Sequence, residues 1–152
     1  MATNNGQQGF VIEIGDGNKI YHNSAIANCR DGIEINGGSE NHIINNLVED
    51  NGNKEVCDSF ADDPDDPDDD YYYKPWFYAG IDITAGIKKK DENDNLVLVD
   101  PSNDNEIKYN HACGNLGCNG ENCTPRERDF WDEANEWENN TVCKEPECTP
   151  SP

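Results

Sequence analysis

Positive charge is what this 152-residue chain has least of: 11 Lys and Arg stand against 32 Asp and Glu, a formal net charge of -21. A phosphate backbone needs a Lys/Arg surface, so nucleic acid is excluded as a partner. Anionic membranes, and polyanionic substrates bound without cations, are disfavoured for the same reason. Long apolar runs are missing too, and no stretch approaches the roughly 18 residues of a membrane-spanning helix, so no membrane insertion is expected. The first ten residues, MATNNGQQGF, do not read as a signal peptide, which leaves a removed signal or a longer parent chain. Histidine is reduced to His22, His42 and His111.

What the chain does have is asparagine at a fixed spacing. NHIINNLVEDN (41–51) places Asn at every fifth position, and the phrase returns as NKIYHNSAIAN (18–28), NEIKYNHACGN (105–115) and NEWENNTVCKE (135–145). The last copy keeps two of its three asparagines. Upstream of the first three copies stand GFVIEIGDG (9–17), DGIEINGGS (31–39) and AGIDITAG (79–86). The repeat unit is therefore a short alternating run with Gly, a Gly-rich turn, N-x-I-x-x-N, and a last short run that ends in Asn.

Alternation over four to six residues marks strands with one buried face. Three such runs joined by tight turns form a triangular coil. Asn suits the corners because it tolerates the left-handed backbone region, and its amide can bond the amide one layer away. One coil cannot bury its own apolar face, whereas stacked coils can. These residues resemble the right-handed parallel β-helix family, the architecture of pectate lyases and many surface proteins. The resemblance covers Gly9 to about Val142. It implies an all-β fold: a short right-handed parallel β-helix (solenoid) of about four to five rungs with two inserted loops. The expected boundaries are a tail at 1–8, the β-helix at 9–148 with insertions at 53–78 and 87–101, and a tail or linker start at 149–152.

Seven cysteines in a small acidic chain suggest an oxidising, extracellular or cell-surface setting. Cys113 and Cys143 occupy equivalent places in the third and fourth copies, as do Cys118 and Cys148. Equivalent places on successive layers lie about 4.8 Å apart, within disulfide reach, so the expected bridges are Cys113–Cys143 and Cys118–Cys148. Cys29 and Cys57 make the third pair and Cys123 is left over. The rival reading of HACGNLGCNGENC is a zinc site of His111, Cys113, Cys118 and Cys123, although the spacing of five is looser than the usual gap of about two to four. Asn122 and Asn139 lie in N-glycosylation triplets.

Insertions in a solenoid commonly carry the binding surface. The first holds Asp62, Asp63, Asp65, Asp66, Asp68, Asp69 and Asp70, carboxylates that repel unless calcium neutralises them or they stay solvated in a loop. YYYKPWFY follows it. Tyr71, Tyr72, Tyr73, Trp76 and Tyr78 read either as a carbohydrate-binding platform or as a lid packed on the coil. The second insertion, IKKKDENDNLVLVD, reads as a projecting hairpin with Lys88, Lys89 and Lys90 on it.

No catalytic constellation stands out. Arg30, Arg126, Arg128 and the lysines fit no lyase motif, no carboxylate pair is singled out for glycoside hydrolysis, and the three histidines lie near corners without sharing a column. The expected function is a non-catalytic structural or adhesive module that associates with copies of itself through its end rungs. The alternative is a carbohydrate-binding or polysaccharide lyase-like fragment that takes glycans as partners.

Overall fold

In a computed structural model, the structure describes residues 1–63, 79–84, 86–115, 130–132 and 136–142. It is built of parallel β-sheets. Strands β1 (Ala2–Thr3), β4 (Ser24–Ile26), β7 (Leu47–Glu49), β12 (His111–Cys113) and β15 (Thr141–Val142) form sheet A in that order. Sheet B holds β2 (Phe10–Glu13), β5 (Ile33–Asn36), β8 (Ile81–Ile83) and β13 (Phe130–Asp132); sheet C holds β3 (Lys19–Tyr21), β6 (His42–Ile44), β11 (Glu106–Lys108) and β14 (Glu136–Glu138). The chain visits A, B and C in turn, so each circuit adds one strand to every sheet.

The 23-residue period is thereby converted into lateral pairing: Ile20 lies beside Ile43, Ala25 beside Val48, and Ile12 beside Ile35. Parallel strands bury an inward side chain at every second residue. The three-residue strands of sheets C and A send in the middle residue, as in Ile43, Ile107, Val48 and Ala112. In sheet B, β5 contributes Ile33 with Ile35 and β8 contributes Ile81 with Ile83. These side chains form a single apolar core, against which Phe10 and Trp137 pack in part. A fully buried Ile contributes about 1.5–3 kcal/mol.

Gly32 shows how closely the layers approach. A Cβ there would lie 2.2 Å from Val48 Cγ1 and 2.7 Å from both Asn51 Nδ2 and the Gly80 carbonyl. Gly9 is confined in the same way: a Cβ there would lie 2.6 Å from the Gly32 carbonyl and 2.7 Å from Asn28 Nδ2. The Gly that opens each of the first two alternating runs is therefore set by space.

The structure corrects three sequence expectations. The periodic asparagines do not themselves take the left-handed conformation; the residue before each does. His22, Ala27, Glu40, Asn45, Asp50, Asp104, Tyr109 and Asn139, with Gly17 and Gly114, have positive φ, and each precedes an asparagine of the ladders. The corner turns one residue early so that the following Asn side chain points inward. Second, the segment read as a tail at 1–8 contains β1, which pairs with β4, so layering starts before Gly9. Third, the first insertion opens not as a loop but as helix α1 (Lys54–Phe60), whose N-cap Asn53 accepts from Val56 N–H at 3.2 Å.

The second insertion is an antiparallel hairpin of β9 (Gly86–Lys90) and β10 (Leu96–Pro101). Its base is tied to the corner after β5: Gly38 N–H donates to Pro101 O at 3.3 Å and Gly37 N–H to Ser102 Oγ at 2.8 Å. Asp91 caps the tip, accepting from Asn93 and Asn95 N–H, and these bonds hold its carboxyl below the usual range.

Candidate functional site

The most elaborate polar construction lies at the three corners. Each has its own column of asparagines: Asn5, Asn28, Asn51 and Asn115 between sheets A and B; Asn18, Asn41 and Asn105 between B and C; Asn23, Asn46, Asn110 and Asn140 between C and A. Asn46 illustrates the chemistry. Its backbone N–H and its Nδ2 both donate to Asn110 Oδ1, at 2.9 and 3.0 Å, and Nδ2 donates again to Ile20 O at 2.8 Å. Its own Oδ1 accepts from Asn23 N–H at 2.9 Å.

An amide is the one small side chain that offers both an oxygen with two lone pairs and two N–H donors. Asp would lose both donors and add a buried charge. Asn41, Asn46, Asn51, Asn105, Asn110 and Asn115 are all essentially inaccessible to solvent, and burial at this cost is tolerated because the groups are bonded. Every ladder also has direction: Oδ1 faces the preceding layer and the backbone N–H faces the following one.

On the outer face of sheet C an ionic row crosses the layers. His42 Nδ1 lies 2.6 Å from Glu106 Oε2, and Lys108 Nζ reaches Glu106 Oε1 at 2.7 Å and Glu138 Oε2 at 2.9 Å. The bonds from Lys108 and His42 hold the Glu106 carboxyl below its ordinary range, and Glu106 and Glu138 raise Lys108. Such charge pairs brace neighbouring strands. Beneath the start of sheet B, Asp31 accepts from Ala79 N–H at 2.5 Å. Burial first, then the carboxylates of Asp82 and Glu34, push its carboxyl well above the usual value.

Cys29 and Cys57 are joined in a disulfide that fastens α1 to the corner after β4. Cys113 is also disulfide-bonded, and the remaining cysteines, Cys118, Cys123, Cys143 and Cys148, lie outside the described residues. Glu49, His111 and Cys113 bring ligand atoms within 4.8 Å of one another. The oxidised sulfur of Cys113 offers no thiolate, and His111 Nδ1 sits 2.9 Å from Thr141 Oγ1, so this trio is poorly suited to a metal.

Of the residues singled out in the sequence, Asp62 and Asp63 follow α1, whereas Asp65, Asp66, Asp68, Asp69, Asp70, Tyr71, Tyr72, Tyr73, Trp76, Tyr78 and Asn122 lie outside the described residues. Asn139 is an exposed corner residue whose Nδ2 donates to Glu138 Oε1 at 3.2 Å. His42 and His111 stand on different sheets and share no column. The link between His42 and Glu106 spans 64 residues and becomes visible once NHI (41–43) and NEI (105–107) are laid one above the other. No membrane-spanning helix occurs among the described residues. No protein-family model matches the chain, and no curated protein or solved structure matches it.

Proposed function

We propose that the chain is a non-catalytic extracellular structural or adhesive module, a short right-handed parallel β-helix that associates with copies of itself end to end. The observation that carries this reading is the direction of the asparagine ladders. Along each ladder Oδ1 accepts from the preceding layer and the backbone N–H donates to the following one, so the two ends of a ladder are complementary, one offering Oδ1 and the other N–H. Among the described residues no donor reaches Oδ1 of Asn18 or Asn23, the first members of their columns. A head-to-tail contact between unlike ends does not close on itself and grows into a filament.

Right-handed coiling follows from the strong preference of parallel crossover connections. A secreted setting is supported by the Cys29–Cys57 bridge. The non-catalytic reading is supported by the chemistry of the charged groups: Glu106 and Lys108 are locked to each other, and Asp31 is buried. Electron microscopy of the purified protein tests the proposal, with unbranched filaments built by end-to-end stacking as the expected result. Monodisperse single particles, together with glycan binding that disappears in Trp76→Ala, would replace it with the carbohydrate-binding alternative.

A further inference from the structure

The hairpin of β9 and β10 has two edges, and they are built differently. Sheet edges are commonly guarded by charge, Lys above all, which prevents another strand from adding. β9 carries Lys88, Lys89 and Lys90 in succession. β10 carries Leu96, Val97, Leu98 and Val99 with no charge among them, and Leu96, Val97 and Leu98 are 67%, 39% and 48% exposed. A two-stranded hairpin is marginal in water by itself, yet this one displays its apolar strand to solvent.

The register identifies the free backbone groups. Asp91 N–H donates to Asn95 O at 2.9 Å, which makes that pair hydrogen-bonded. Bonded and non-bonded pairs alternate in an antiparallel ladder, so Lys89 with Val97 is the next bonded pair. Leu96, opposite Lys90, and Leu98, opposite Lys88, therefore turn their N–H and C=O groups away from β9.

We infer that β10 is a docking edge for the β10 of a second copy of this chain, the two joining antiparallel about a two-fold axis at Val97. Leu96 then exchanges both backbone bonds with Leu98 of the second copy, and Leu98 with its Leu96. The result is a four-stranded sheet. One face presents four leucines flanked by Lys88 and Lys90 of each chain, and the other presents the two Val97 side chains flanked by Lys89. Pairing through β9 would instead oppose lysine with lysine. Charge favours a second copy at this place: Lys88, Lys89 and Lys90 against Asp91, Glu92, Asp94 and Asp100 leave residues 86–101 with -1 of the chain's -21. The hairpin is thus where two such acidic chains approach with little repulsion. The contact is isologous and closes at two chains, unlike the stacking of end layers, and does not depend on it.

Val97→Cys tests the geometry, because a non-bonded antiparallel pair brings its Cα atoms to about 4.5 Å, within disulfide reach. In oxidising buffer this variant forms a covalent dimer well above the wild-type background, Lys89→Cys does not, and adding Leu98→Lys to Val97→Cys suppresses the product. Sedimentation equilibrium of the wild-type chain shows a concentration-dependent two-chain species that Leu98→Lys removes while the circular dichroism spectrum is unchanged. Equal cross-linking of the Val97 and Lys89 variants would overturn the inference, as would a wild-type protein without the two-chain species at its highest soluble concentration. Filaments that persist in Leu98→Lys separate this contact from end-layer stacking.

Discussion

The corners and the hairpin reverse the usual assignment of residues to inside and outside. At the corners Asn28, Asn41 and Asn110 are fully buried, while on the hairpin Leu96 and Leu98 stand in solvent. Side-chain polarity fails to predict burial in either place. What separates the two regions is whether a neighbouring layer exists. At a corner, each amide finds donors and acceptors at a fixed distance above and below. The strands of the hairpin pair only with each other, outside the three layered sheets, and Leu96 and Leu98 are left exposed. Repetition, more than hydrophobicity, decides what this chain buries.

The comparison breaks most completely if a ladder member loses its donors. Asn110→Asp puts a carboxylate where Nδ2 now donates to Ile43 O and Asn140 Oδ1, at 2.7 and 3.0 Å. Chemical denaturation should show a loss of about 3–5 kcal/mol, the cost of an uncompensated buried charge. Gly32→Ala acts on the distance between layers and should cost about 1–3 kcal/mol through overpacking, measurable as a lower melting temperature with an unchanged spectrum.

Asp31→Asn sharpens the contrast from the electrostatic side. Because burial raises the Asp31 pKa, the native state holds its proton more tightly than the unfolded chain does. Stability on this account falls as pH rises above the ordinary carboxylate range near about 4. The variant keeps an oxygen for Ala79 N–H and removes the charge, so it should be more stable than wild type at pH 7. That advantage should shrink as pH is lowered toward about 4; an advantage constant with pH would show that Asp31 is not its source. The smallest effect belongs to the hairpin, where Leu98→Lys should leave the unfolding free energy of the single chain within about 0.5 kcal/mol.

Much of this was legible because the period of 23 is a physical length, one circuit of the chain. Once NKIYHN and NHIINN are aligned, the pairing of Ile20 with Ile43 follows, and so does placing Asn over Asn. The alternating VIEI, GIEI and GIDI runs mark sheet B for the same reason. The rest was hidden for identifiable causes. β1 is two residues long, too short for any alternation to register. The left-handed positions went to residues as unlike as Ala27, Glu40 and Tyr109 because the ladder demands an inward-pointing Asn at the next position, and that tertiary requirement overrides local preference. Helix α1 lies in a segment dominated by acidic residues, where a seven-residue helix held by Asn53 and the Cys57 bridge leaves little periodic trace. The ionic row of His42, Glu106 and Lys108 needs the register across both insertions before its members become neighbours.

Hydrogen exchange read by NMR tests the ladders most directly. The backbone N–H groups of Asn28, Asn41, Asn46 and Asn51 donate to asparagine oxygens of the next layer at 2.9–3.1 Å, so they should exchange only through near-global unfolding. Glu92 at the hairpin tip should exchange at close to the rate of an unstructured peptide. Ladder amides that exchange as fast as that of Glu92 would contradict the stacked asparagine columns on which the account is built.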